Sequence, residues 1–280
     1  MSEFESPVLD NHLHLDPEHG RGIEAVKEFA RTGGTHLLVV NKPSWHLGDL
    51  PTGRDSFEGV FETTIEAVRE ATEELPGRAW PVLGVHPALV SQLVEAGSTP
   101  EEAAAVMRMG IDLAAEYVGS GRALALKSGR PHYEVSEETW EASNDVLRHA
   151  LARGAERDCV VQLHTETSED LTEIAEWAEE CGLARERVVK HFASGTLEGP
   201  TPSVISRKGE LRTAAERGEP FLMETDFIDD PDRPGAVLGP KTVPRRVAWL
   251  REEGYGGAIE TAHVETPRRL YGIDTLAELA

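Results

Sequence analysis

The sequence predicts an α/β chain folded as a single-domain (β/α)8 TIM barrel spanning residues 1–280. Three observations carry that expectation. Eight short apolar runs are spaced along the chain, amphipathic stretches separate them, and the 280 residues match the roughly 250 that one such barrel needs. The runs occupy 7–15, 35–40, 79–85, 123–127, 159–164, 187–191, 202–206 and 220–226. Each is short, apolar and bounded by polar or turn residues, as buried parallel strands are.

Helical periodicity fills the intervals at 23–32, 59–74, 100–118, 139–153, 169–182 and 209–217, and a closing helix is expected at 243–253. Alternation of strand and helix at this count points to a closed parallel barrel. A doubly wound open sheet is the alternative, and the lack of a GxGxxG turn after the first run weakens it. Two longer connections, 45–56 and the Pro-, Gly- and Asp-rich 229–244, follow the second and eighth runs and are expected to be loops. There is no internal repeat and no low-complexity linker.

The charge balance narrows the function classes. Fifty Asp and Glu face 28 Lys and Arg, a formal net charge of −22, and only six of the cations are lysine. A dense carboxylate shell with few lysines fits a protein from a salt-rich cell, an expectation that unfolding at low salt would test. It argues against a broad basic face for nucleic acid, while leaving room for a locally positive pocket. No stretch reaches the ~20 apolar residues of a membrane span, and the opening MSEFESPVLDNH lacks signal-peptide character. A cytoplasmic location is therefore expected. Cys159 in CVVQL and Cys181 near a helix end read as structural thiols rather than a disulfide framework or zinc cage.

The chemistry is written at the ends of the runs. His12 and His14 close the first, His164 the fifth, His191 the sixth and Asp226 the eighth. Residues two apart on a strand share a face, so His12 and His14 converge, and strand C-termini form the active-site mouth of this fold. Any one of these side chains alone would be unremarkable. Their coincidence at one end of successive units predicts a metal site, and neutral imidazole with carboxylate oxygen suits zinc, manganese or a similar divalent ion.

The same segments resemble the TatD-type metal hydrolases of the amidohydrolase superfamily, over roughly residues 8–275. DNHLHLD is similar to that family's first-strand HxH motif, which implies His12 and His14 as ligands to one metal. GVHP at 84–87 resembles the family's GxHP, which implies a pocket role in substrate binding for His86. QLHTE and VKHFAS are similar to the fifth- and sixth-strand segments, implying His164 and His191 as ligands to a second metal. METD resembles the family ETD, implying that Asp226 is catalytic and touches the first metal. A late RRLYG is similar to the closing RRLFG. The resemblance implies one or two divalent ions (Zn, Mn or Mg) and a phosphodiester substrate cleaved in a DNase-like reaction by metal-activated water, with Asp226 accepting the proton.

One position departs from the pattern. Where the family usually carries a bridging glutamate at the end of the fourth strand, ALALKSGRPHY has Lys127, and an ammonium cannot ligate a cation. Lys127 either is carboxylated to a bridging carbamate, or displaces one metal, or faces a substrate phosphate. The first option raises a phosphotriester, lactone or cyclic amide as the alternative substrate. A non-catalytic metal-binding barrel is the reading from another class. Arg130 and His132 follow at once, and a substrate anion is their expected partner. Arg233 and Lys241 are further candidates, and for Lys241 a solvated loop cation is the better expectation. Glu224 shares a face with Asp226 and is expected either to orient a ligand or to pair with an arginine. Glu166 lies two residues past His164. A substrate in the pocket, whether small molecule or nucleic acid, is the expected partner, and oligomeric state is not readable. No GxSxG elbow suggests serine chemistry.

Overall fold

The computed structural model describes residues 6–232 and 237–279. Nine parallel strands form one sheet: β1 (Leu9–His14), β2 (His36–Val40), β3 (Ala79–Gly84), β4 (Ala125–Gly129), β5 (Val161–His164), β6 (Val188–Ala193), β7 (Thr201–Ile205), β8 (Leu222–Glu224) and β9 (Phe227–Ile228). Their order is β8-β7-β6-β5-β4-β3-β2-β1-β9. β8 and β9 are two halves of one strand interrupted at Thr225–Asp226. One half pairs with β7 (Val204 with Met223) and the other with β1 (Leu13 with Phe227), so the ring closes through the break. The expected (β/α)8 barrel is the observed architecture. The expected continuous eighth strand is not, because Asp226 turns into a left-handed backbone conformation, φ 48°, that ends the ladder.

Helices wrap the outside: α1 (Ile23–Arg31), α2 (Asp55–Glu74), α3 (Leu89–Glu95), α4 (Pro100–Gly119), α5 (Glu137–Arg157), α6 (Thr172–Glu180), α7 (Lys208–Arg217) and α8 (Thr242–Glu252). Local chemistry sets several ends. Thr99 and Glu102 make a reciprocal capping box with Pro100 in the first turn of α4, Ser136 caps α5, and Gly218 ends α7 at φ 70°, a conformation that favours glycine. α2 starts four residues earlier than Gly59 suggested. That glycine is accommodated inside an exposed helical turn where a side chain would meet nothing within 4 Å. α6 is shorter than 169–182 because Asp170 is drawn into a bridge with Glu198. α3, α9 (Gly256–Glu260), a π turn (Thr261–Glu265) and α10 (Thr266–Tyr271) were not expected; each is too short to give a helical period in the sequence. Because α8 begins at Thr242, the loop expected over 229–244 ends earlier, and Arg233 lies outside the described residues. Loop 45–56 is likewise trimmed by one 3₁₀ turn at its start and by α2 at its end.

The largest apolar cluster, including Phe57, Phe61, Leu83, Met107 and Ile111, fills the space between sheet and helices. Inside the barrel the packing is layered. Leu9, Val82, Ala125, Val160, Val189 and Leu222 make an apolar floor, closed from below by Leu270 of α10. Two residues further along, on the same inward face, the chain becomes polar: Asn11 follows Leu9, Lys127 follows Ala125, Gln162 follows Val160, His191 follows Val189 and Glu224 follows Leu222. The polar layer therefore begins halfway up the barrel and opens at the C-terminal mouth. Among the described residues, no helix is long and apolar enough to cross a membrane.

Candidate metal centre

His12, His191 and Asp226 bring one ligand atom each within 4.8 Å of one another at the mouth. The His12 and His191 rings stack with centroids 4.1 Å apart. His12 Nε2 and His14 Nε2 are each 3.9 Å from the same oxygen, Asp226 Oδ1. His164 joins through its Nδ1, 2.7 Å from His191 Nε2. The five side chains expected to gather do so.

The far ring nitrogens show why these imidazoles suit a cation. His12 Nδ1 lies 2.7 Å from Gln162 Oε1 and His14 Nδ1 lies 2.9 Å from the Val40 carbonyl. Both partners only accept, so each Nδ1 carries the proton and each Nε2 presents a lone pair toward Asp226. His191 Nδ1 faces Glu224 Oε1 at 3.4 Å with the same consequence. Ligating histidines are usually held in this way from behind. Burial, then the nearby Lys127 ammonium, keeps His12 and His191 neutral far below the usual imidazole range, and the same two causes bring His14 down to about 3. Neutral imidazole is the ligating form.

Backbone geometry holds the mouth open. Asp226 and Phe192, the residue after His191, both have positive φ, 48° and 53°, a conformation costly for residues with a side chain and characteristic of functional sites. Partners hold each one. Asp10 accepts from Thr225 N at 3.0 Å and Thr225 Oγ1 at 2.6 Å. Glu224 accepts from Phe192 N at 2.7 Å and from the Ser203 hydroxyl. Glu224 thus lies against His191, Phe192 and Ser203 rather than pairing with an arginine. Burial raises both acids: Asp10 to about 7 and Glu224 well above the carboxylate range. Gln162, Asp10 and Thr225 had not been singled out in the sequence. Gln162 stands two residues before His164, a same-face spacing that could have revealed it.

Lys127 is central. It sits in the middle of β4 rather than at its end, because Ser128 and Gly129 continue the strand. Glycine is required at two contacts beside it. A Cβ at Gly84 would lie 1.9 Å from the Lys127 carbonyl, and one at Gly129 would lie 1.8 Å from that of His164. Lys127 Nζ is 3.2 Å from His12 Nε2, and burial lowers its pKa to about 7 despite the opposing pull of Asp226 and Glu224.

The outer candidates divide. His86 and His132 flank His164: the His86 ring is 4.5 Å away, and His132 Nδ1 is 2.8 Å from His164 Nε2. A cavity of about 540 Å³ opens beside His132, lined also by Tyr133 and Trp140. Arg130 sits differently from the expectation. Its fork is bound to Glu166, at 2.9 Å from Nε, and to Asn144 and Glu173. Trp140 and Trp177 lie 4.6 and 5.6 Å from its guanidinium. The structure therefore uses Arg130 to brace the loop beneath His132, not to face the mouth. Glu166 is its partner. Lys241 pairs with Glu28 on α1 at 2.5 Å, as a loop cation. Cys159 and Cys181 are free thiols.

Comparison with known proteins adds three findings. The family model described as TatD related DNase matches residues 9–272. An uncharacterized protein of Methanocaldococcus jannaschii is 37% identical over 285 residues, covering 96% of each chain. Among solved structures, a TatD-like protein from Archaeoglobus fulgidus superposes with a TM-score of 0.61 at 17% identity over 95% of this chain and 100% of that one. An organophosphorus hydrolase from Deinococcus radiodurans superposes with a TM-score of 0.60 at 14% identity over 97% and 94%. At such identities the two structures speak to the fold alone.

Proposed function

The chain belongs to the TatD family of related DNases, within the amidohydrolase-like superfamily, and from that premise we propose that it is a metal-dependent hydrolase of phosphodiester bonds. His12, His14, His164, His191 and Asp226 would hold one or two divalent cations. The carrying observation is the pair of imidazole Nε2 atoms, both 3.9 Å from Asp226 Oδ1, with their Nδ1 protons locked on acceptors behind. That is the donor set and protonation state a divalent ion requires. A bound ion would acidify water and stabilise developing negative charge.

The protein's own groups supply the rest. Asp226, with its carboxylate at the centre of the mouth, accepts the proton of the attacking water and returns it to the leaving group. Gln162, Val40 and Glu224 keep the imidazoles in one tautomer. His86 and His132, beside His164, contact the substrate. Arg130 fixes the loop that carries His132.

Lys127 favours a second possibility. Its buried amine, shifted to about 7, is available uncharged near neutrality. Attack of that nitrogen on carbon dioxide forms one N–C bond and releases one proton, leaving an anionic carbamate within reach of His12. A bridging anion there would complete a two-metal site and bring phosphotriesters, lactones or cyclic amides within range. The fold is compatible, since organophosphorus hydrolases and lactonases share it.

A substrate panel tests the proposal with zinc or manganese added: labelled single-stranded DNA, bis-(p-nitrophenyl) phosphate, paraoxon and lactones. Cleavage of the first two is expected. Turnover confined to paraoxon or lactones would transfer the chain to the second class, and tight metal binding with no turnover would make it a binding barrel. The acidic composition further supports a salt-rich cytoplasm as the working environment, for which a melting temperature that climbs with potassium chloride is the test.

A further inference from the structure

The metal centre takes none of its ligands from the closing segment RRLYG, yet that segment reaches it from below. Leu270 and Tyr271 end α10, and Gly272 turns the chain away at φ 70°. The Tyr271 ring packs half-buried against the apolar floor of Leu9, Val82 and Leu222, and its hydroxyl enters the polar layer above. There Gln162 Nε2 donates to the Tyr271 hydroxyl oxygen at 3.0 Å, across 109 residues of chain. Through Oε1 the same Gln162 accepts from His12 Nδ1 at 2.7 Å.

The donors and acceptors fall into one consistent order. The second Gln162 Nε2 proton goes to the Asn11 main-chain carbonyl at 3.1 Å, so both amide protons are used and Oε1 is left for His12. Tyr271 accepts from Gln162, and its own proton must go elsewhere. The Asn11 side chain is its second partner, and Asn11 Oδ1 accepts from no other group among the described residues. Burial raises the phenol pKa, so that proton is present throughout the neutral range. Asn11 Nδ2 donates onward to Ser203 Oγ at 3.0 Å and Ser203 donates to Glu224, which faces His191 Nδ1. Tyr271 thus joins the polar group behind His12 to the one behind His191, and of these links it alone comes from outside the strands. A flipped Gln162 amide would set its oxygen against the Asn11 carbonyl oxygen, and Tyr271 could satisfy it only by withdrawing its proton from Asn11. The flip would also turn the amide nitrogen toward His12 Nδ1 and drive the ring proton to Nε2, where it blocks ligation.

We infer that the Tyr271 hydroxyl is a positioning group for the metal centre: by fixing the Gln162 amide it keeps the His12 proton on Nδ1 and the Nε2 lone pair toward the cation. The inference rests on the reading of His12 as a metal ligand and adds to it a residue of the C-terminal helix. Tyr271 touches neither metal nor substrate. Phenylalanine, which stands at this place in the similar segment RRLFG, would keep the ring packing and lose the link, so the hydroxyl is separable from the fold.

The experiment follows Tyr271→Phe in the full chain, with Leu270→Val as a variant that loosens the same floor without touching a polar group. NMR of isotopically labelled histidine ring nitrogens reads the tautomers of His12 and His191 in metal-free protein. Spectra are taken above the Lys127 pKa of about 7, where its amine, 3.2 Å from His12 Nε2, is neutral and can either donate or accept. Wild type should show both rings with the proton on Nδ1. Tyr271→Phe should give His12 a measurable share of the Nε2–H tautomer, while His191, which Glu224 holds directly, keeps its own. Zinc affinity by titration calorimetry should fall about fivefold, the loss expected for one neutral hydrogen bond. Leu270→Val should lower the melting temperature and leave tautomer and affinity as in wild type. An unchanged His12 tautomer in folded Tyr271→Phe, or an equal shift in Leu270→Val, would overturn the role. Should Tyr271→Phe lose its fold, the Tyr271 hydroxyl proton of wild type decides: slow exchange and a nuclear Overhauser contact to the Gln162 amide support the link, and fast exchange with water overturns it. Failure of the metal reading looks different, since the tautomers would respond as expected while wild type bound no zinc.

Discussion

The barrel buries histidines at both of its ends, and they behave differently. At the mouth, His12, His14 and His191 put their Nδ1 protons on acceptors and aim their Nε2 lone pairs inward. At the floor, His263 does the reverse: its Nδ1 accepts the Leu9 amide at 3.0 Å. Its Nε2 then bears the proton and finds no hydrogen-bond partner among the described residues. His36, stacked on Trp80 with centroids 5.7 Å apart, likewise leaves Nε2 without a partner. Desolvation depresses all of them, His36 to about 4 and His263 to about 3. Burial and a low pKa therefore do not mark a ligand. What separates the two ends is which nitrogen keeps its lone pair and whether the lone pairs converge on a carboxylate.

Substitutions at each end can break that distinction. The largest effect is expected at Asp226. Asp226→Asn should bind metal nearly as wild type yet lose turnover by about a hundred- to ten-thousandfold, measured as kcat beside metal content; full activity would refute its role as base. Lys127→Met comes next. If Lys127 bridges as a carbamate, this variant loses one metal equivalent and most activity, and a short carboxylic acid restores both. An intact two-metal site without rescue would rule the carbamate out.

Gln162→Leu should have a smaller effect, since it frees His12 to flip tautomer without removing a donor. Metal affinity should fall about 10- to 100-fold by titration calorimetry, while unchanged affinity would mean the tautomer lock is unimportant.

The smallest effect belongs to the floor and concerns stability alone. His263 is neutral when folded, with a folded pKa near 3, below the ~6.5 of an unfolded chain. Its contribution is thus complete above about pH 6.5 and is lost as pH falls toward 3, because the unfolded state binds the extra proton. Near pH 5 the loss amounts to about 2 kcal/mol. His263→Gln can still accept the Leu9 amide but cannot titrate, so its urea-unfolding free energy should depend less on pH between about 6.5 and 5, with metal affinity unaltered. A pH slope equal to wild type would remove His263 from the acid response.

Much of the site was legible because strand alternation is a strict rule. The HxH spacing put His12 and His14 on one face, and the ends of the fifth, sixth and eighth runs marked His164, His191 and Asp226 as candidates for the same mouth. Other features escaped for identifiable reasons. Arg130 looked available because its partners, Glu166, Asn144, Glu173 and two tryptophans, come from three later segments that only folding assembles around it. Lys127 looked terminal because the two residues after it, Ser and Gly, seldom extend a strand; Gly129 does so here since nothing larger fits beside the His164 carbonyl. Asp10 and Gln162 lie inside the DNHLHLD and QLHTE segments but are not metal-ligand types at the expected positions. Their importance lies in hydrogen bonds across 215 and 150 residues of chain.

By itself, the order of residues determined the succession of the eight strand segments and the longer helices, the acidic composition and the shared face of His12 and His14, because these follow from local periodicity and composition. The tertiary structure decided which nitrogen of His12 and His14 holds its proton, where the eighth strand breaks, and which carboxylates hold Arg130. Those outcomes depend on acceptors, backbone contacts and carboxylates that are distant in the chain and adjacent only once the barrel has closed.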